Sequence, residues 1–397
     1  MVEWKELGQL GKFENIGTDK KINEGEKLVT LLNYVDVYHH KYIDSSVPQM
    51  QVSASDKKIV DCTVEQGDIF VTPSSETVDD IGHTSVITET IPNTVYSYHI
   101  MRYRLFEKDM LLSYYINYAF DTENVKRQIL KKAQGLTRFG LSKDKFASIQ
   151  IPIPSLSEQQ RIVGILDTFT ASIENLKEQI VERRRQYEHY RDQLLDLEGK
   201  EGVEMNTIKD ICKKICSGGT PSTSHKEYYG GNIPWLRTQE VDWKEIYDTE
   251  IKITEEAITN SSAKIIPENC VIVAMYGATA AKVAINKIPL STNQACCNLE
   301  IDFQKSMYKY VFHWLCKEYQ NLKAMGEGSQ NNINGQKVKD YVIPIPSLSE
   351  QQRIVSILDT FEASIQNLEA QLKEREKQYE YYREKLLTFE GERDKQN

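Results

Sequence analysis

The 397-residue chain has no stretch apolar enough to span a bilayer. Its longest apolar run, Val271–Ile285, is too short and is broken by Lys282. The opening residues MVEWKELGQL hold no apolar signal core, so no export signal is read. None of the seven cysteines forms a CxxC pair, which argues against zinc-ribbon and thioredoxin-like sites. Without an export signal those thiols are expected reduced and buried, and the compartment is expected to be the cytoplasm. The eleven prolines include no Pro-Pro, and no GxxxxGKS or GxxxxGKT run is present. GGTP (Gly218–Pro221) lacks the P-loop lysine and reads as a turn. Only His39 and His40 adjoin among the histidines, with no second cluster at ligand spacing, so no metal site is read. Asp56-Lys57-Lys58 has the look of half a nuclease motif, but three residues match by chance often. Positive charge is also short: the net charge of −9 argues against a protein that coats nucleic acid unaided.

What the chain has is a long helix written twice. Ile151–Gly199 and Ile343–Gly391 agree at 35 of 49 positions, at a constant offset of 192, and their first thirteen residues, IPIPSLSEQQRIV, are identical. Each copy carries apolar residues at alternating steps of four and three. The first seam runs Ile162, Leu166, Phe169, Ile173, Leu176 and Ile180 to Tyr187; the second runs Ile354, Leu358, Phe361, Ile365, Leu368 and Leu372 to Tyr379. This is the heptad pattern of a coiled coil, with one charged seam residue in each copy, Arg183 and Arg375. Ser157 with Gln160, and Ser349 with Gln352, have capping-box spacing, and Gly199 and Gly391 are expected to close the helices. A helix of about 42 residues would be roughly 63 Å long. Near-identical helices in one chain are expected to pair about a pseudo-two-fold axis, antiparallel.

Two globular segments precede these helices and share a plan but little sequence. The first is expected to hold strands in Leu28–Tyr38 and Lys57–Thr72, then a helix over Lys108–Lys132 ending in AQGLTRFGLSK (Ala133–Lys143). The second is expected to hold strands in Asn232–Val241 and Ile265–Gly277, then a helix over Met307–Lys323 ending in MGEGSQNNIN (Met325–Asn334). The fold class read is α+β, divided as globular segment 1–154, helical spacer 155–199, globular segment 200–346 and C-terminal helical spacer 347–397.

A globular segment followed by I-P-x-P-S-L-x-E-Q-x-x-I and a long helix, twice over, resembles the specificity subunit of type I restriction–modification systems. Both IPIPSLSEQQRIV copies carry the likeness, with GGTPS (Gly218–Ser222), GNIPWLRTQEV (Gly231–Val241) and STNQAC (Ser291–Cys296). GDIFVTPSSET (Gly67–Thr77) and AQGLTRFGLS (Ala133–Ser142) are similar to family members in the first segment. The resemblance implies two target recognition domains, each reading one half of a bipartite asymmetric site in double-stranded DNA. It implies that antiparallel helices set the spacer and dock two modification subunits that methylate adenine at N6. It also implies restriction–translocase subunits, with S-adenosylmethionine, ATP and magnesium bound by partners and no cofactor or catalysis of this chain's own.

Candidate DNA contacts follow from residue chemistry. Between Lys126 and Lys145 seven basic residues face only Asp144, a local charge of +6 in an acidic chain. Within it Gly135 allows close backbone approach, and Thr137, Arg138 and Lys143 suit phosphate or base edges. The competing reading is a solvated helix end with lysines in its last turn. In the second segment Ser329, Gln330 and Asn331 are neutral hydrogen-bonding residues suited to base edges, or to an ordinary polar turn. Arg237, Thr238 and Gln239 are plausible readers beside a core Trp235, with Asn33 and Tyr34 as loose first-segment counterparts. The rival for the whole chain is a two-headed coiled-coil scaffold that binds proteins rather than DNA.

Overall fold

The computed structural model describes residues 2–326 and 332–389, except the side chains of Met110 and Leu111. Two compact units form: Met1–Leu176 with Gln371–Asn397, and Lys177–Ala370. Each therefore combines one globular head with a stretch of both long helices.

The heads repeat one topology. In the first unit a four-stranded sheet runs in the order Met50–Ala54, Lys27–Leu32, Ile91–Tyr96, Thr63–Val64. A five-stranded sheet runs Gly11–Glu14, Met101–Leu105, Ile69–Val71, Thr84–Ile87, Tyr42–Ile43. In the second unit the matching orders are Ile251–Ile253, Tyr229–Leu236, Leu290–Thr292, Ile265–Ile266, and Cys212–Ser217, Cys296–Ile301, Val271–Ala274, Val283–Asn286, Lys244–Ile246. The parallel pairings fall at the same places: Lys27–Leu32 with Ile91–Tyr96 matches Tyr229–Leu236 with Leu290–Thr292. The first IPI forms a strand that pairs antiparallel with Glu3–Glu6, and the second pairs with Glu204–Thr207. A two-stranded sheet tolerates Pro152 and Pro344 because one strand edge needs no donor. The carbonyls of these prolines accept from Tyr115 Oη at 2.8 Å and Tyr310 Oη at 2.5 Å, so the two head helices sit in equivalent registers.

The long helices run Leu156–Leu194 and Leu348–Leu387. Their caps lie two residues earlier than the sequence spacing gave. Ser155 and Ser347 accept from the backbone N–H of Glu158 and Glu350 at 3.4 and 3.3 Å, while Ser157 Oγ merely meets Ser155 Oγ. The Glu158 and Glu350 side chains turn to Arg161 and Arg353. The first helix also stops short of Gly199, which takes φ +72° in the turn beyond it; Gly391 lies outside the described residues.

Within the second unit the helices are antiparallel: Arg184 pairs with Glu369 at 2.6 Å and Tyr190 stacks on Phe361 at 5.3 Å. In the first unit Phe169 stacks on Tyr382 at 5.4 Å, the same contact carried over by the repeat. The seam arginines lie across the opposing phenylalanines, Arg183 over Phe361 and Arg375 over Phe169. The seam starts inside the heads. Ile162 and Leu166 are fully buried in the first core, and Ile354 and Leu358 in the second. Each such side chain contributes roughly 1.5–3 kcal/mol by burial. Ile173 is also buried, whereas Phe169, Leu176, Tyr187, Phe361, Ile365, Leu368 and Tyr379 are half-buried.

Several expected elements are cut by local caps. Leu28–Tyr38 is a strand only to Leu32, because Asn33 starts the short helix Tyr34–His39. Lys57–Thr72 opens instead with a helix, Asp56–Asp61, capped by Ser55. There Asp56 pairs with Lys27 and Lys58 Nζ donates to the Gly17 carbonyl, so the nuclease-like triplet is structural. The single helix expected over Lys108–Lys132 is two, Met110–Phe120 and Glu123–Lys132, the second capped by Thr122. The helix expected over Met307–Lys323 likewise divides into Tyr308–Lys317 and Tyr319–Ala324. Gly218 and Gly219 are fixed by crowding: a Cβ on either would lie 2.2 Å from backbone atoms of Thr292 or Ser262.

Candidate nucleic-acid interface

In the first unit three segments meet around a cleft of about 420 Å³ lined by Tyr34, Val35, Tyr38, Ser74, Asp80 and Arg138 among others. The first is the turn from strand Lys27–Leu32 into helix Tyr34–His39. Asn33 is buried and caps that helix, accepting from Val35 N–H at 2.9 Å while its own N–H donates to Asp36. Tyr34 lines the cleft, and burial, then the Asp80 carboxylate, push its hydroxyl above the ordinary value. The second is the Ser74–Asp80 loop. Tyr38 Oη and Ser75 Oγ donate to Asp80 at 3.0 Å, and His83 Nε2 lies 2.9 Å from it. Burial raises the Asp80 carboxyl, but those three bonds hold it below its usual range.

The third is the basic loop. Gln134 and Gly140 exchange backbone hydrogen bonds of 3.0 and 2.8 Å, closing a turn that presents Gly135, Thr137 and Arg138 to solvent. Arg138 Nε and Nη2 donate to Ser74 Oγ at 3.3 Å, which ties this loop to the second segment. Lys143 is exposed at the start of helix Lys143–Ala147. Two of the seven basic residues serve the scaffold: Lys132 Nζ donates to the Ser148 carbonyl and Lys145 Nζ to that of Lys132, each at 2.8 Å.

The second unit builds the same corner from other residues. Its strand Tyr229–Leu236 leads into a short helical turn, Thr238–Glu240, and Arg237 occupies the place of Asn33. Arg237 N–H donates to Glu240, as Asn33 N–H does to Asp36, and its guanidinium reaches Glu250 at 2.5 Å. Gln239 is exposed, and the Thr238 carbonyl accepts from Thr279 Oγ1 at 2.8 Å. Trp235 is core, as expected, its indole N–H bonded to the Gly219 carbonyl. The N–H of Ile333 donates to Met275 O as that of Leu141 does to Pro73 O, which sets the two basic-loop positions in register. Ser329, Gln330 and Asn331 lie outside the described residues.

The profile of the type I restriction modification DNA specificity domain matches residues 1–183 and 200–376. The chain belongs to this family. It is 36% identical over 263 residues to the EcoR124I/EcoR124II specificity subunit of Escherichia coli, covering 62% of this chain and 64% of that one, a little under two thirds of its length. It is 31% identical over 275 residues to a putative type I specificity subunit of Haemophilus influenzae, covering 64% and 68%. The crystal structure of an M. genitalium type I S subunit shares the fold, with a TM-score of 0.60 at 15% identity over 98% of this chain and 96% of that one. No described helix is long and apolar enough to cross a membrane.

In this family member sequence reading missed the Ser74–Asp80 loop and its counterpart, Tyr276–Thr279. The signal was the cluster PSSET after a buried strand, a turn composition. It missed too that His313, Asp359 and Glu362 converge, with ligand atoms within 4.8 Å. Lys309 Nζ already donates to Asp359 at 2.8 Å and Tyr187 Oη to Glu362 at 3.3 Å, so this group reads as an ion-pair network fastening helix Tyr308–Lys317 to both long helices. Burial pushes the Cys212, Cys270 and Cys297 thiols up to about 12.

Proposed function

We propose that the chain is the non-catalytic DNA-recognition subunit of a type I restriction–modification complex. Each head reads one half of a bipartite site in double-stranded DNA. The long helices set the spacer between half-sites and dock two adenine-N6 methyltransferase subunits. S-adenosylmethionine, ATP and magnesium are bound by partner subunits, including a restriction–translocase. The observation that carries this reading is a frame kept constant while its corner residues change. Asn33 and Tyr34 stand where Arg237 and Thr238 stand, at the cap and first residue of the helical turn after the strand, on identical sheet orders. A repeat that keeps its sheet orders while its side chains differ suits two different half-sites. The half-buried seam residues, the same in both helices, suit a partner that is present twice.

The acidic net charge puts much of the phosphate neutralisation on the partners, so the isolated chain binds DNA weakly and the assembled complex tightly. The test is Arg138→Glu with Lys143→Glu, assayed as methylation of target sites by the complex. Target modification is expected to fall at least about 100-fold, from lost contacts and added repulsion. Unchanged modification would sink the DNA reading and favour a head that binds protein.

A further inference from the structure

Leu136 is 94% exposed, more than any other large apolar side chain among the described residues. A stray surface leucine needs no explanation; the setting of this one does. It sits at the tip of a turn that is locked. Gln134 and Gly140 close the base with two backbone bonds, and Gly135 takes φ +140°. A Cβ on Gly135 would lie 1.9 Å from the Arg138 carbonyl oxygen, so only glycine allows the closure. Lys145 and Lys132 brace the turn's stem through their carbonyl bonds. The tip is therefore held out rather than left loose, and little ordering entropy remains to be lost when it binds.

Its neighbours are cationic. Lys131, Arg138 and Lys143 are exposed, and Arg138 leans onto Ser74 at the cleft rim. Phosphates satisfy that collar, but a leucine has nothing to offer a phosphate. An apolar side chain projecting from a basic loop has the chemistry of a wedge between stacked base pairs, the device by which rigid Leu, Ile, Met or Phe residues unstack and bend a duplex. Counting back from the Leu141–Ile333 equivalence, the second unit carries Gly328 in this slot of its sequence, so the device belongs to one half-site only.

We infer that Leu136 enters between two base pairs of the half-site read by the first unit. This rests on the DNA-recognition reading above. The test uses the full specificity–modification complex on cognate duplexes, with 2-aminopurine placed singly at each purine except the methylated adenine. The wild type is expected to raise fluorescence several-fold at one step of one half-site. Leu136→Ala should return it to the unperturbed level and weaken binding about tenfold, while Leu136→Phe should keep both. No Leu136-dependent signal at any position would overturn the wedge. So would a Leu136→Ala complex that assembles poorly with its modification subunits yet leaves bound DNA unaltered, since the leucine would then be a protein contact. Arg138→Glu separates the failures. If it abolishes binding while Leu136→Ala changes no fluorescence, only the wedge is lost; if neither matters, the recognition reading falls too.

Discussion

The two units solve one attachment problem with opposite chemistry. Asp167 and Asp359 are the same residue of the repeat, and each faces the helix of its own head. In the first unit Asp167 accepts from two neutral phenols, Tyr42 at 2.5 Å and Tyr118 at 2.6 Å. In the second, Asp359 meets Lys309 at 2.8 Å and His313 at 3.3 Å, with the half-buried Glu362 alongside. The Tyr115–Tyr310 equivalence puts His313 in the place of Tyr118 and Lys309 in that of Tyr114. The duplicated helices were thus free to stay alike while the heads changed around them, provided each head supplied some donor to the same carboxylate.

The largest test asks where the copies should agree. Ile162→Asp and Ile354→Asp each place a charge at a fully buried seam position without a partner. Each should cost about 4–5 kcal/mol and unfold its own unit, seen as loss of one thermal transition. A mild effect of either would mean that the seam is not the core of both heads.

Asp359→Asn against Asp167→Asn should then break the symmetry. Losing Asp359 takes the nearest carboxylate from a lysine and a buried histidine, leaving them Glu245 at 3.6 Å and Glu362 at 3.7 Å, at about 2–3 kcal/mol; losing Asp167 removes an acceptor from two phenols, at about 1 kcal/mol. At roughly 2–4 °C per kcal/mol for units of this size, calorimetry resolves the two. The pH dependence gives the sign. Burial raises Asp359, but the bonds from His313 and Lys309 hold it below its ordinary value. Its contribution is therefore full above the usual Asp range and fades as pH falls through the lowered value. The Asp359→Asn deficit should shrink on acidification, and a deficit constant from neutral pH to the bottom of the carboxylate range would refute the ion-pair account. The smallest effect is shared again: Arg183→Ala and Arg375→Ala each lose one stacked guanidinium, about 0.5–1 kcal/mol. Unequal losses would show that the two halves of the seam differ in packing.

The repeat, its seam and the antiparallel pairing were legible because period and identity are properties of sequence alone. The heads' shared plan was legible in outline, but its boundaries were not. Asn33, Ser55 and Thr122 each start a new helix where apolar patterning runs on, and a cap is decided by a few backbone bonds. At the helix starts the motif held two nearby serines, and only geometry distinguishes Ser155 from Ser157. The basic loop could be found from charge. The Ser74–Asp80 loop could be read as a turn but not placed at the cleft, since it joins the cleft through tertiary bonds from Tyr38, His83 and Arg138.

The second unit is continuous, Lys177–Ala370, whereas the first is finished only by residues after Gln371. A nascent chain leaves the ribosome at about 5–20 residues per second, so the earlier head waits roughly 10–40 s for its last helix segment. Until Leu387 arrives, its place in the first core stands open. That interval makes the first-made head the last to mature, open meanwhile to chaperones or to the tail of a neighbouring copy on the same polysome.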